Sequence, residues 1–438
     1  MSKKTIRWLY GELPELVAQG VLTPDSADAL RNHYGSAERP SGRRIALILC
    51  SILGASLIGL GIILLLGHNW DDLSRQVRAV ISFTPLVAAQ LLAAYVIWRR
   101  GESVPWREGT ATFLMLSMAA AIALVGQTYH ISGDPGAFVL SWMLPSVPIV
   151  YLLGASLPAL IYLVGITSWA GIAQGDGGHA LLFWPMLAVV VPHIVQAFRR
   201  DRHGVRSTVL CWGLCLCLCV ATGVTLEKVW PGLWIIVYAG LFASMYLAGS
   251  LWQDDSLSDW QRPLQVVGAV GAVVLALMLT YDWPWDDIGW GYYRHGWRHH
   301  EWAAVADYVL AVGLLASTVS LLAIFMRRGE RGKLFIGVAP ALAAIGYTVS
   351  AFTADETVAM TLFNLYLLVL GVGTIATGIR SERLSLVNAG MAVVAGLILA
   401  RFFDSDMPFL LRGIAFIILG TGFLVTNLVL LRRRGDAQ

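Results

Sequence analysis

Apolar runs of about twenty residues recur along almost the whole chain and decide what it can fold into. A helix of about 20 residues is long enough to cross the ~30 Å hydrocarbon core of a bilayer. Only 13% of the residues are charged, about half of the roughly 25% that is usual in a soluble globular protein. The sequence therefore predicts an all-α fold, a polytopic integral membrane helical bundle of about 14 transmembrane helices. The candidate spans lie at about 45–67, 79–98, 110–130, 138–154, 157–174, 180–198, 207–226, 233–252, 264–281, 303–326, 334–352, 357–379, 385–403 and 408–431.

The distribution of positive charge predicts the orientation of these spans. Most of the 31 Lys and Arg residues fall in alternate connecting segments, among them 99–107, 199–206 and 327–333. Because Lys and Arg are retained on the cytoplasmic side during insertion, we expect both termini to be cytoplasmic. This pattern is typical of a multi-pass protein of the bacterial cytoplasmic (inner) membrane. Residues 138–174 contain only the uncharged connection LGASLP, so a re-entrant hairpin is an alternative to two spans there.

The polar N-terminal segment predicts a separate element. Residues 1–42 are expected to form a cytoplasmic helical hairpin, followed by a transmembrane domain over 43–434. Gly20 would end the first helix, and Thr23 would cap the second, which has Pro24 in its first turn. About thirty residues bury too small a core for independent stability. We therefore expect the hairpin to dock on its own membrane domain or on a protein partner; a loosely ordered tail is the alternative.

Four stretches together carry a family resemblance. They are this hairpin, GHNWDD at 67–72, VGQTYHISGDPGAF at 125–138 and SWMLPSVPIVYLL at 141–153. They resemble a bacterial family of multi-pass membrane proteins known as a domain of unknown function. The resemblance covers roughly the first 160 residues and implies an integral membrane protein, with no catalytic residue to carry over.

Polar and ionisable side chains gather near the predicted outer ends of the spans. A charged side chain at mid-membrane costs about 2.5–3.5 kcal/mol on insertion scales, so such groups usually face protein or water. An arginine there either pairs with a nearby acid or binds a carboxylate, phosphate or sugar of a ligand. The candidate substrate-binding residues are Asp71, Asp72, Arg78, Gln127, His130, Asp307, Arg401, Asp404 and Arg412.

Two features near the third and fourth spans favour a cavity. Gln127 and His130 are three residues apart and would share one helix face. Pro145 and Pro148 would interrupt the hydrogen-bond ladder of the next span and make room beside it. A polar helix face opposite a broken helix is common in transporter sites. A simple hydrogen bond between spans is the alternative for either polar residue.

Residues 281–302, YDWPWDDIGWGYYRHGWRHHEW, combine aromatic, acidic and histidine side chains. Trp and Tyr are enriched at membrane interfaces, and this predicts that the stretch lies at the external headgroup level. Its three histidines match no defined zinc spacing, and we expect no metal ion and no cofactor. Stacking on a carbohydrate, or contact with lipid headgroups, is an alternative role. The glycine-rich GVGTIATG at 371–378 lies inside a span, where small residues permit close helix contact.

The sequence favours a transporter or translocase of a small or lipid-linked solute, with a site near the outer face. Two alternatives stay open. One is an envelope enzyme acting on a lipid-linked substrate through Asp71, Asp72 or His130, although we lean against an enzyme. The other is a non-catalytic scaffold whose hairpin recruits a partner. Membrane lipids are expected partners, and no nucleic-acid-binding pattern is present; the sequence leaves the substrate and the oligomeric state open.

Overall fold

A computed structural model provides the coordinates of this 438-residue chain. It describes residues 3–34, 72–131, 133–178, 180–201, 204–226, 232–253, 258–285, 288, 301–353 and 355–402, with a few isolated positions between 410 and 421. These residues form helices joined by turns, and no β-strand occurs among them. The chain divides into two compact units, residues 1–81 and 82–438.

The first unit begins with two helices, α1 (Lys3–Ala18) and α2 (Pro24–Tyr34). Gly20, with φ of +72°, follows the end of α1. The Thr23 hydroxyl oxygen accepts the Ser26 N–H at 3.3 Å and so caps α2. Leu13 and Ala27 are buried. The predicted stop and cap are confirmed, whereas the predicted domain boundary at residue 42 lies outside the described residues.

A series of longer helices follows. They are α3 (Arg75–Arg99), α4 (Val104–Thr128), α5 (Pro135–Leu153), α6 (Ser156–Gly175), α7 (Phe183–Arg200), α8 (Val205–Thr225), α9 (Leu233–Trp252), α10 (Pro263–Met278), α11 (Glu301–Arg328), α12 (Arg331–Gly337), α13 (Ala339–Thr353), α14 (Thr357–Arg380) and α15 (Leu384–Phe402). In the described part of the chain, eleven helical segments are long and apolar enough to cross a membrane, with the consecutive helices α12 and α13 counted as one segment (Gly332–Thr353), and α10 is a shorter apolar helix. Each predicted span that falls within this part coincides with a helix. The described part of the chain is therefore all-helical, and the protein is a multi-pass membrane protein.

The predicted spans at about 45–67 and 408–431 lie outside, or almost outside, the described residues. Residues 138–174 form the full-length helices α5 and α6, each long enough to span. Helix α5 continues through Pro145 and Pro148, so these prolines do not divide it into two segments.

The first bundle consists of α4 to α8 together with α3 from residue 82 onward. Its core contains Met143, Tyr162 and Phe183, all buried. Gly165 allows α5 to approach α6, because a Cβ at this position would lie 2.2 Å from the Met143 sulfur. Small residues at helix contacts are typical of membrane bundles, since they let helices approach closely.

The second bundle consists of α9 to α15, and its core includes Trp285, Phe363 and Leu367. Glycines on α14 and α15 permit close contact: a Cβ at Gly390 would lie 2.7 Å from the Gly371 carbonyl oxygen. The prediction that the glycine-rich stretch 371–378 serves helix packing is thereby confirmed.

Helix α8 belongs to both bundles. It packs against α6 and α7 on one side and against α9 and α10 on the other. Its buried Cys217 contributes to the first core. Cys211 and Cys215 are buried against Leu241 and Met245 of α9. The same helix therefore carries two different apolar faces, one for each bundle.

Candidate functional site

The predicted site residues nearest the N-terminus belong to the first unit or lie outside the described part. Asp72 is exposed just before α3. The Arg78 Nε donates to the Leu73 carbonyl oxygen at 3.0 Å, which fastens the first turn of α3 to the preceding loop. Asp71, Asp404 and Arg412 lie outside the described residues.

Gln127 and His130 do not share a helix face, and that prediction is wrong. Helix α4 ends at Thr128, and His130 follows with φ of +50°, a left-handed conformation. Both Gln127 and His130 are exposed. The buried polar residue of GQTYH is Thr128, whose hydroxyl donates to the Leu124 carbonyl oxygen at 2.7 Å. Because the helix ends before His130, this residue does not follow the helical spacing on which the prediction depended.

Asp307 lies in the second turn of α11, within an apolar span that runs from Val305 to Arg328. It is only 2% exposed. A carboxyl group so placed faces protein and not lipid, as expected for an acid within a membrane helix. One turn farther along, Ala311 is buried against Val237 of α9 and against Leu226, which follows α8.

Arg401 connects the ends of three helices of the second bundle. Its Nε donates to the Asn364 side-chain oxygen on α14 at 3.1 Å. Its Nη2 donates to the carbonyl oxygen of Thr280, which follows α10. Its guanidinium carbon also lies 5.2 Å from the centre of the Tyr281 ring, and the Tyr281 hydroxyl donates to the Ala400 carbonyl oxygen at 2.9 Å. Together these contacts hold the guanidinium in a defined orientation.

The candidates therefore fall into separate groups. Gln127 lies in the last turn of α4 in the first bundle, and His130 follows that helix. Helix α4 packs against α5 and α6. Asp307 and Arg401 lie on helices of the second bundle, α11 and α15. Of the described candidates, only these two are ionisable groups inside the spans of the second unit, and we consider their end of the bundle the candidate site.

The aromatic stretch from residue 281 differs in part from its predicted interfacial position. Trp285 is 2% exposed, packs against Phe363 and donates its indole N–H to the Leu279 carbonyl oxygen at 3.1 Å. Gly346 makes room for it, since a Cβ there would lie 3.0 Å from the Trp285 ring. Trp283 is exposed and stacks with Trp234. One tryptophan of the stretch thus belongs to the bundle core.

A charged cluster lies at the end of the first bundle where α4 begins, opposite the end where Gln127 lies. This cluster was not predicted from the sequence. We call it the Glu108 cluster; it comprises Glu108, Arg107, Gly154, Ser156 and Arg206. The Glu108 carboxylate accepts the Ser156 N–H with both oxygens at 2.9 Å, and the next backbone N–H, that of residue 157, also at 2.9 Å. The carboxylate therefore caps the N-terminus of α6, where the positive end of the helix dipole favours an anion.

Two arginines complete the Glu108 cluster. The Arg206 Nη2 lies 2.6 Å from the Glu108 Oε1, and its Nε donates to the Ser156 hydroxyl at 3.0 Å. Both Arg206 and Arg107 donate to the Gly154 carbonyl oxygen, at 3.0 and 2.9 Å. The start of α4, the connection between α5 and α6, and the start of α8 are thus held together. The available sign of such a cluster was an acid, Glu108, directly after Arg107 at the end of the basic segment 99–107.

No group of three or more His, Cys, Asp or Glu in the described part of the chain is placed to hold a metal ion. The histidines of the 281–302 stretch, at positions 295, 299 and 300, lie outside that part. The described residues of the candidate site, Asp307 and Arg401, are charged groups that can bind a solute by hydrogen bonds and ion pairing.

Comparison with known proteins gives one similarity to a permease and one to a family. Over 296 residues, 66% of this chain, the sequence is 26% identical to the Iron(3+)-hydroxamate import system permease protein FhuB of Escherichia coli (strain K12), and the aligned part is 36% of that protein. No solved structure matches the chain. Residues 14–159 match the family described as Predicted membrane protein (DUF2157), which confirms the resemblance to an uncharacterised family of multi-pass membrane proteins.

Proposed function

We propose that this multi-pass membrane protein is a transporter or translocase of a small or lipid-linked solute. The observation that carries the proposal is the burial of Asp307, an acid that is 2% exposed within a long apolar helix. An ionisable group within a membrane helix is costly to insert, and proteins keep such groups mainly in solute or proton pathways. We assign Asp307 to the pathway of the transported solute.

The surroundings of Arg401 suggest the chemistry of that solute. A guanidinium offers five N–H donors in a planar fork, and here neutral acceptors on α14 and after α10 orient it. An arginine held in this way suits a carboxylate, a phosphate or a sugar hydroxyl. We infer that the solute carries an anionic or hydroxyl-rich group.

The similarity to a permease supports transport over catalysis. The name of the similar protein places it in an import system for an iron(3+)-hydroxamate. Because the aligned part is 36% of that protein, the similarity supports the class of activity, and the solute is left to experiment.

The bacterial inner membrane, with the site toward the outer face, is part of the same proposal. Basic residues of segments 99–107 and 199–206, Arg107 and Arg206, meet at the Glu108 cluster. The uncharged connection between α5 and α6 lies there as well. Helix α8 starts at this cluster and ends near Ala311, one turn from Asp307. This arrangement supports opposite membrane faces for the basic end and the candidate site, as the positive-inside pattern predicts.

The test is transport by the purified protein in proteoliposomes. Uptake, exchange and lipid flipping would be measured for carboxylates, sugar phosphates, lipid-linked sugars and an iron(3+)-hydroxamate complex. For the solute that responds, Asp307→Asn should reduce the rate at least tenfold. Asp282→Asn, the same change on an exposed residue, should leave the rate within about twofold of the parent protein.

A second pair of variants tests Arg401. Arg401→Gln should raise the solute concentration needed for half-maximal transport, whereas Arg380→Gln, an exposed residue that ends α14, should not. Absence of transport or flipping for every class of solute would contradict the proposal. Equal rates for Asp307→Asn and Asp282→Asn would remove Asp307 from the pathway.

A further inference from the structure

The first bundle contains a cavity of about 330 Å³ beside the Glu108 cluster. The turn between α3 and α4 and the C-terminal ends of α5 and α7 form its walls. This end is opposite to the one that carries Asp307, because α8 begins here at Val205 and ends at Thr225, close to Leu226 and Ala311. The cavity is therefore separate from the proposed transport site.

Two arginines give this cavity a positive charge. Arg107 and Arg200 line it together with the polar side chains of Gln196 and Tyr151, and no acidic side chain is among its lining residues. Glu108, adjacent to Arg107 in sequence, is engaged with the α6 N-terminus and with Arg206 and does not line the cavity.

The Arg107 side chain is held in place but keeps donor capacity. Its Nη2 donates to the Gly154 carbonyl oxygen at 2.9 Å, and its Nη1 donates to the Gly101 carbonyl oxygen at 3.4 Å. Its Nε is buried and has no hydrogen-bond partner among the described residues. Buried polar atoms in native proteins nearly always have a partner. The geometry thus provides a fixed guanidinium, and each of its two terminal nitrogens carries a second N–H, not used in these bonds, that can bind an acceptor.

The apolar part of the lining indicates what sort of molecule fits. Ile97 and Leu152 line the cavity, and both are exposed on helices that span, Leu152 at 72%. Trp98 and Trp106 are exposed at the same end, as is usual at the level of lipid headgroups. Basic pockets between the ends of membrane helices bind the headgroups of anionic lipids.

We propose that this cavity binds a phosphate ester of net negative charge, with Arg107 and Arg200 as its cationic ligands. An anionic phospholipid provides this group together with acyl chains that can pack along Ile97 and Leu152. A soluble phosphate ester provides the same group without them. Both arginines donate charge-assisted hydrogen bonds, which are roughly twice as strong as neutral ones.

Binding can be measured with the detergent-purified full chain by native mass spectrometry and by thermal stabilisation. The probes are phosphatidylglycerol, phosphatidylcholine and glycerol 3-phosphate, at an ionic strength of about 0.15 M so that distant surface charges are screened. The test variant is Arg200→Gln. The matched control is Arg199→Gln, which removes the same charge from the adjacent exposed residue and does not line the cavity.

We expect saturable binding of phosphatidylglycerol to the parent protein and to Arg199→Gln, with on the order of tenfold weaker binding to Arg200→Gln. Much weaker binding of glycerol 3-phosphate would identify the ligand as a membrane lipid. Equal affinity for glycerol 3-phosphate, with the same dependence on Arg200, would identify a soluble phosphate ester in the same site.

Two results would overturn the proposal. One is an equal loss of binding in both variants, which would mean that binding depends on the general surface charge and not on the cavity. The other is a lack of preference for phosphatidylglycerol over phosphatidylcholine together with no binding of glycerol 3-phosphate. Both variants should elute as the parent protein does and melt at the same temperature without ligand, because both side chains are exposed.

Discussion

Replacement of Glu108 by glutamine tests whether the Glu108 cluster stabilises the first bundle. The change keeps the size of the side chain but removes its charge and turns one acceptor oxygen into a donor. In the parent protein both oxygens accept the Ser156 N–H, one of them also accepts the following N–H, and Arg206 lies 2.6 Å away. The variant therefore loses an ion pair and places a donor against a donor.

The magnitude follows from the exposure of the two charged groups. The Glu108 side chain is 20% exposed and that of Arg206 is 41% exposed, so solvent screening reduces the ion pair to about 1 kcal/mol, the upper range of exposed pairs. Leaving a partly buried N–H without its acceptor costs about 1 kcal/mol more. We expect Glu108→Gln to lower the free energy of unfolding by about 2 kcal/mol.

The assay is reversible unfolding in mixed micelles at increasing denaturing detergent. Glu102→Gln is the control, since Glu102 is an exposed acid in the connection just before α4. A double-mutant cycle with Arg206→Gln should give a coupling energy of about 1 kcal/mol, reduced at high salt. If Glu108→Gln is no more destabilising than Glu102→Gln, or if the coupling energy is zero, the cluster does not hold the helices together and the reasoning fails.

Two further stability predictions concern a glycine and a tryptophan. Gly154→Ala should cost about 1–2 kcal/mol, because Gly154 has φ of +55° and a Cβ would lie 3.0 Å from the Arg107 Nη2. Gly126→Ala, on helix α4 with open space around it, should be neutral or slightly stabilising by the same unfolding assay, because Ala favours a helix more than Gly does. Equal destabilisation by the two changes would refute the strain argument. Trp285→Ala should cost about 3–5 kcal/mol, as for other buried large side chains, whereas the exposed Trp283→Ala should cost less than about 1 kcal/mol. A small effect at Trp285 would mean that the loop is not part of the core.

The helices could be predicted from the sequence because their ends depend on local features. Apolar runs of the right length coincide with helices from α3 to α15, and turn and cap residues such as Gly20 and Thr23 act within a few positions of themselves. The number of spans, the orientation of the termini and the extent of the hairpin domain stay predictions, since 35–71 and most of the chain after 402 lie outside the described residues.

The side-chain arrangement could be predicted only in part, because it depends on partners far away in sequence. Trp285 is buried because Gly346, some sixty positions later, leaves space for its ring; hydropathy alone does not distinguish it from an interfacial tryptophan. Glu108 and Arg206 are 98 positions apart, beyond any local pattern. His130 was assigned to a helix face by spacing, which loses its meaning once the helix ends at Thr128.

The position of the Glu108 cluster limits how the first bundle can move. It fastens α4, α6 and α8 to one another at one end. These helices can therefore move apart only by tilting about that end. A helix of about 20 residues is roughly 30 Å long, and a tilt of about 10° at the pivot would shift its far end by about 5 Å. Any separation of these helices would therefore be greatest at the end where α8 meets the helix that carries Asp307.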